Sequence, residues 1–229
     1  HRVDEAWRDG LDAISITEHI EHRPHRRDIP AGHNRSYQVA LPRAKALGLM
    51  LIRGAEITRP LPAGHCNAVF LENVAPLATP RFEDALRAAV DQGAFVFWNH
   101  PGYPHPDGVA RWYPVQTRLV EAGHLNGIEI VNGRHYFPRA HRWCVEKKLT
   151  MLGSSDMHLP RQVDDNLDEG RRPWTLVFAK GSGIKAIKQA LVARRTVVVG
   201  ADGRLFGEKT YLAPLFERSI GIVRPQPVP

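Results

Sequence analysis

The chain has 229 residues, 43% of them hydrophobic and 24% charged, with two cysteines and 31 Lys and Arg against 24 Asp and Glu for a formal charge of +7. That length fits one large domain or two small ones, and the balance excludes a disordered chain and a disulfide-stapled scaffold. No apolar run approaches the roughly 18 residues that a membrane-spanning helix needs.

In chain order, short apolar segments alternate with helical ones. A helix over 3–8 leads to a strand at 13–18, and a helix over 36–47 leads to strands at 50–58 and 66–71. Pro42 kinks or delays that second helix, because it donates no backbone hydrogen bond. A helix at 82–91 precedes a strand at 95–100, one at 115–122 a strand at 127–132, and one at 139–147 a strand at 150–156. A strand at 174–179 and a helix at 184–193 come next, and from 205 a short amphipathic helix gives way to an extended Pro-rich tail ending at 229. Gly10, Gly48, Gly93 and Gly123 stand just past helix ends, where left-handed caps belong. Strands apolar on both faces and alternating with helices predict a parallel sheet flanked by helices, open or closed into a barrel, with function at the strands' C-terminal ends. A barrel calls for a strand ahead of the first helix, and the expectation is either that one precedes residue 1 or that the sheet is incomplete. No signal peptide is visible; the chain reads as soluble, with its compartment and oligomeric state open.

The chemistry lies just past the end of each strand. The chain has twelve histidines, and neutral imidazole is the commonest metal ligand. The first strand runs into His19, the second into Glu56 with His65 soon after, the strand at 95–100 into His100, and the segment at 150–156 into Asp156 with His158 two residues on. Each has an ordinary explanation alone: a hydrogen-bonded histidine, a surface ion pair of Glu56 with Arg53 or Arg59, an Asp156 that caps a turn. Crowded at one rim they would be costly unless a cation neutralised them. On extended backbone, Asp156 and His158 would point to the same side. Nitrogen and oxygen ligands without thiolates suit zinc, manganese or iron. Cys66 beside His65 is not a Cys-His catalytic pair, because adjacent strand residues face opposite ways.

Two loops on the same rim carry cations and rings suited to phosphate: His22, His25 and Arg35 after the first strand, and Arg134, His135 and Tyr136 after the strand at 127–132.

The segments Thr17-Glu18-His19, Gly54-Ala55-Glu56-Ile57, Asn99-His100-Pro101-Gly102 and Gly153-Ser154-Ser155-Asp156-Met157-His158 resemble, in order and over nearly the whole chain, the later motifs of the PHP (polymerase and histidinol phosphatase) family. The resemblance implies an α/β fold, a distorted (β/α)7 barrel over 1–204, with two or three divalent ions (Mn, Zn or Fe) at its C-terminal face. Glu56 would bridge two ions, His65 and His100 would complete one site, and His19 with His158 would serve another. Asp156 would help a further site that the family completes with an N-terminal His-x-His motif. His1-Arg2-Val3 is not that motif, which is expected on the strand preceding residue 1; a chain that natively began here would read as a two-metal or silent protein.

The implied activity is hydrolysis of a small phosphomonoester or phosphodiester by metal-activated hydroxide. Asp156 would orient the nucleophile, and a rim imidazole such as His158, or bound water, would protonate the leaving oxygen. A nuclease-type enzyme is the competing reading, favoured by the basic charge but lacking a run of interleaved basic and aromatic residues. A catalytically silent metal-binding module is the other.

Overall fold

Glycine sets the helix ends as expected: Gly10, Gly48, Gly93 and Gly123 have φ of 74°, 70°, 69° and 69°, a conformation that costs glycine nothing. The computed structural model describes residues 1–23, 27, 32–160 and 171–223. α1 (Arg2–Arg8) leads into β1 (Ala13–Ile16), and α2 (Arg35–Leu47) into β2 (Met50–Thr58). Pro42 sits inside α2 without ending it. It and Gln38, the residue whose carbonyl a helical amide at 42 would bond, are both exposed to solvent.

The chain continues through β3 (His65–Val69), α3 (Phe82–Asp91), β4 (Phe95–Trp98), α4 (Pro114–Glu121), β5 (Gly127–Asn132), β6 (His135–Tyr136), α5 (Pro138–Lys147) and β7 (Thr150–Ser154). β1 to β5 and β7 form one curled sheet in that order, with β6 a short hairpin partner of β5. The architecture is mixed α/β, a half-barrel sheet flanked by helices and consistent with a TIM-like barrel.

The expected all-parallel sheet is corrected here. β1 and β2, β4 and β5, and β5 and β7 are parallel, but β3 runs antiparallel to both neighbours. Residues 59–64 alone join β2 to β3, and a parallel return needs a crossover of about a dozen residues or more. The reversal has a functional result. It brings the first residue of β3, His65, opposite the last residue of β2, Thr58, on the rim where the parallel strands end.

A second sheet packs beside β7. It comprises β8 (Trp174–Val177), β9 (Thr196–Val199) and β10 (Leu205–Gly207), with α6 (Ile184–Val192) between the first two and α7 (Lys209–Val223) after the last. The Thr175 hydroxyl accepts from Gly153 N (2.9 Å), and the Thr196 hydroxyl donates to Met151 O (2.9 Å). The helix expected from 205 therefore starts later. Leu205 is instead in a strand opposite Val199, because the valine-rich β9 offers an edge to pair with. The tail at 224–229 lies outside the described residues.

Both sheet faces are apolar over most of their length. Ile52, Val69, Phe95, Phe97 and Leu152 cluster on one side; Ala55, Ile57, Val96, Trp98, Ile128 and Ile130 belong to the core on the other. Burying each such large side chain contributes about 1.5–3 kcal/mol. With a side-chain period of two, the Ile52 face continues toward the rim as Glu56, Asn67, Asn99 and Glu129, all buried. The sheet thus changes from apolar to polar where its strands end.

Candidate metal centre

His19 is fixed by a single bridge to β2: Ile20 N donates to Glu56 O and Glu56 N to Glu18 O, each at 3.0 Å. Its Nδ1 lies 3.2 Å from Glu56 Oε1 and 2.6 Å from Thr58 Oγ1. His65 Nδ1 approaches the same carboxylate oxygen at 2.8 Å, and Thr58 Oγ1 donates to it at 2.9 Å. One donor atom each from Glu56, His65 and His100 lies within 4.8 Å of the others. Around this trio, Asp156 Oδ2 is 4.0 Å from His100 Nε2, Asp156 Oδ1 is 4.0 Å from His158 Nδ1, and the His158 ring is 6.0 Å from that of His19. The structure therefore brings all six side chains together.

His100 and Asp156 are delivered by unusual backbone. His100 has φ 25° and Asp156 φ 51°, left-handed values that non-glycine residues rarely adopt outside over-determined sites. This corrects the argument that Asp156 and His158 share a side because the chain is extended there. They meet through a turn, in which His158 Nδ1 donates to the Asp156 carbonyl at 2.8 Å. The alternative reading of Glu56 as a surface ion pair is also corrected. Arg53 lies over the Tyr37 ring and Arg59 pairs with Glu21, while Glu56 is only 4% exposed.

The electrostatics derive from burial. Burial pushes the Glu56 carboxyl up, but hydrogen bonds from His19 and His65 outweigh it and hold the group well below the usual carboxylate range. The same bond to Glu56 raises His19. Desolvation lowers His100, against the pull of Asp156 and Glu56. A neutral His100 suits ligation. Its Nδ1 is buried with no hydrogen-bond partner, a state rare in purely structural imidazoles. An orphaned ring nitrogen, a second imidazole and a buried carboxylate on one spot fit a divalent cation of the nitrogen-and-oxygen-binding kind.

The substrate-side candidates are less concentrated. The exposed His22 ring is 6.1 Å from that of His19. His25 lies outside the described residues. Arg35, Arg134 and His135 are exposed, and the Tyr136 hydroxyl is shared with His141 Nδ1 at 2.8 Å. None of Arg35, Arg134, His135 and Tyr136 touches the imidazole cluster: Arg35 opens α2, and the other three lie at the β5–β6 turn.

Among solved structures, the chain is similar to a two-domain protein from Bacteroides vulgatus that contains a predicted PHP-like metal-dependent phosphoesterase: 47% identity, TM-score 0.90, covering 94% of this chain and 63% of that one. The PHP resemblance holds. The chain spans less than two thirds of that relative's length. Two further structures share the fold alone: a candidate metal-dependent phosphoesterase from Bifidobacterium adolescentis (13% identity, TM-score 0.54, covering 84% and 89% of the two chains) and an amidohydrolase from Chromobacterium violaceum with bound sulfate and no metal (14%, 0.54, 87% and 91%). No family model and no curated protein matches. Among the described residues, no helix is long and apolar enough to cross a membrane.

Two residues of this PHP-like rim escaped the sequence reading. Glu129, 1% exposed, accepts from His100 N and from Asn132 Nδ2, each at 2.8 Å. Burial, then the Asp156 charge, pushes its carboxyl up to about 8. Its signal was an acid in the otherwise apolar Gly-Ile-Glu-Ile-Val. Tyr103, 60% exposed, sets its ring edge-on to His65 and His100 at 5.6 and 5.4 Å. Nothing in its local sequence marked it.

Proposed function

We propose that the chain is a PHP-family metal-dependent hydrolase that cleaves a small phosphomonoester or phosphodiester. In this reading the barrel is a distorted (β/α)7 one. Glu56, His65 and His100 hold one ion, and His19, His158 and Asp156 serve its neighbours, two or three Mn, Zn or Fe ions in all. The observation that carries the reading is the convergence of Glu56, His65 and His100 within 4.8 Å, a buried carboxylate with two imidazoles.

Bound divalent ions supply Lewis acidity to the phosphoryl oxygens and make water nucleophilic near neutral pH. The chain's own residues do the rest. Asp156 orients the attacking water, and a rim imidazole or a bound water protonates the leaving oxygen. Glu56 keeps its charge at neutral pH because His19 and His65 hold its carboxyl low.

The test is turnover of p-nitrophenyl phosphate and bis(p-nitrophenyl) phosphate by protein loaded with Mn, Zn or Fe. Glu56→Gln and Asp156→Asn should abolish turnover while leaving the fold intact. Full activity in both variants overturns the proposal, and bound metal with no turnover across phosphoesters favours a silent module.

A further inference from the structure

We infer that the cleft between the β5–β6 turn and the β9–β10 turn binds an anionic group on the leaving portion of the substrate, so that the ester cleaved is one whose alcohol or phenol half itself carries a negative charge. This inference rests on the phosphoesterase reading above.

The cleft is small and open, with a cavity volume of about 40 Å³, room for a carboxylate or phosphate group, and is lined by Arg134, Tyr136, Asp202, Arg204 and Phe206 among others. Two of the lining rings, Tyr136 and Phe206, stack on each other at 4.5 Å and 17°. The Arg204 guanidinium lies 5.8 and 5.6 Å from the two ring centres. Asp202 fixes it there, accepting from Arg204 Nε at 2.5 Å and from Arg204 N at 3.0 Å. Those contacts use both Asp202 oxygens, so the Arg204 and Asp202 charges offset each other. Arg134 is different. It is exposed and, among the described residues, holds no hydrogen bond or ion pair. It leaves the cleft with one uncompensated positive charge, chemistry suited to a carboxylate or phosphate.

The cleft also lies within reach of the reacting centre. Gly133 N, on its floor, donates to Ser154 O at 2.9 Å. Ser154 is two residues from Asp156, and two residues of chain span at most about 7 Å. β9 packs alongside β7, with Thr196 bonded to Met151, so both turns open on the same rim as the imidazoles. A phosphoryl group at the metal centre and a carboxylate in the cleft are therefore compatible with one small molecule.

The experiment compares 4-carboxyphenyl phosphate with 4-carbamoylphenyl phosphate, two esters of the same shape. The carbamoyl ester has the better leaving group, so a preference for the carboxylate reports binding. The metal-loaded protein is expected to favour the carboxylate ester by about tenfold or more in kcat/KM. Arg134→Gln should cut that preference to within about twofold, and 4-hydroxybenzoate should inhibit competitively and weaken in the variant. Equal kcat/KM for the two esters, a preference that survives Arg134→Gln, or non-competitive binding of 4-hydroxybenzoate overturns the inference. If neither ester turns over, and neither p-nitrophenyl phosphate nor bis(p-nitrophenyl) phosphate does, the phosphoesterase reading has failed. Calorimetric titration with 4-hydroxybenzoate then judges the cleft alone: binding lost in Arg134→Gln upholds an anion site, and no binding to the unmutated protein ends it.

Discussion

Replacing Glu56 by glutamine changes one oxygen for nitrogen at the centre of the cluster, and its consequence is best read from metal-linked stability. In the metal-free protein two effects oppose. Charge-assisted hydrogen bonds from His19 and His65, roughly 1.5–3 kcal/mol each, are weakened, but the several kcal/mol spent in burying a carboxylate are recovered. The metal-free melting temperature should therefore move little. Metal breaks the balance. At a metal concentration of about 100 times its dissociation constant, binding stabilises the folded state by about 2.7 kcal/mol. In a domain of this size that is a rise of roughly 5–11 °C. The amide supplies no negative charge, so affinity should fall by about a hundredfold. At the same metal concentration the variant then gains only about 0.4 kcal/mol, a rise of about 1–2 °C. The assay is thermal melting at pH 7 with and without Mn or Zn, for both proteins. Equal metal-induced shifts in the two would refute the assignment of Glu56 to the metal centre.

Three further outcomes rest on particular contacts. Glu129, pushed up to about 8, has a folded pKa above its unfolded value near 4.5, so its own contribution to metal-free stability should be full below about pH 4.5 and be lost as pH rises toward 8. Glu129→Gln should flatten that fall, and parallel melting-versus-pH curves for the two proteins would exclude the buried neutral acid. A Cβ at Gly102 would sit 2.1 Å from Gly108 O and 2.7 Å from Phe137 Cε1, so Gly102→Ala should cost about 1–3 kcal/mol and weaken metal binding through His100; an unchanged melting temperature would contradict it. Because Asp156 sits at φ 51°, Asp156→Ala should be less stable without metal than Asp156→Gly by about 1 kcal/mol, and equal melting temperatures would remove the claim of strain.

Much of the fold was legible because its signals are local. Alternating helix and strand periods and the glycine caps at 10, 48, 93 and 123 needed no tertiary information. The direction of β3 did, although the short 59–64 connection forbade a parallel return and was the overlooked clue. β6 and β10, at two and three residues, are too short for periodicity to register. The rim ligands were legible as residue types just past strand ends, but their mutual placement depends on left-handed turns at His100 and Asp156, which nothing local announces at a non-glycine position. Arg204 and Phe206 were passed over because the segment from 205 read as helix, which hid the hairpin that brings them beside Tyr136.

The rim also explains why one acid is buried where it touches no imidazole ring. Strained turns persist only when their surroundings over-determine them. The turn at His100 is held from both sides: Asn99 N donates to His65 O at 2.9 Å, and His100 N donates to Glu129 at 2.8 Å. Asn132, at the end of β5, donates to the same Glu129 oxygen, and the next residue's amide, Gly133 N, bonds to Ser154 O at the end of β7. Three strand ends, β4, β5 and β7, are thus tied through one carboxyl group and one backbone bond. A leucine at 129 would satisfy the core and leave the His100 amide without its acceptor. The acid belongs there because it sets where His100 points, and through that where a cation can sit.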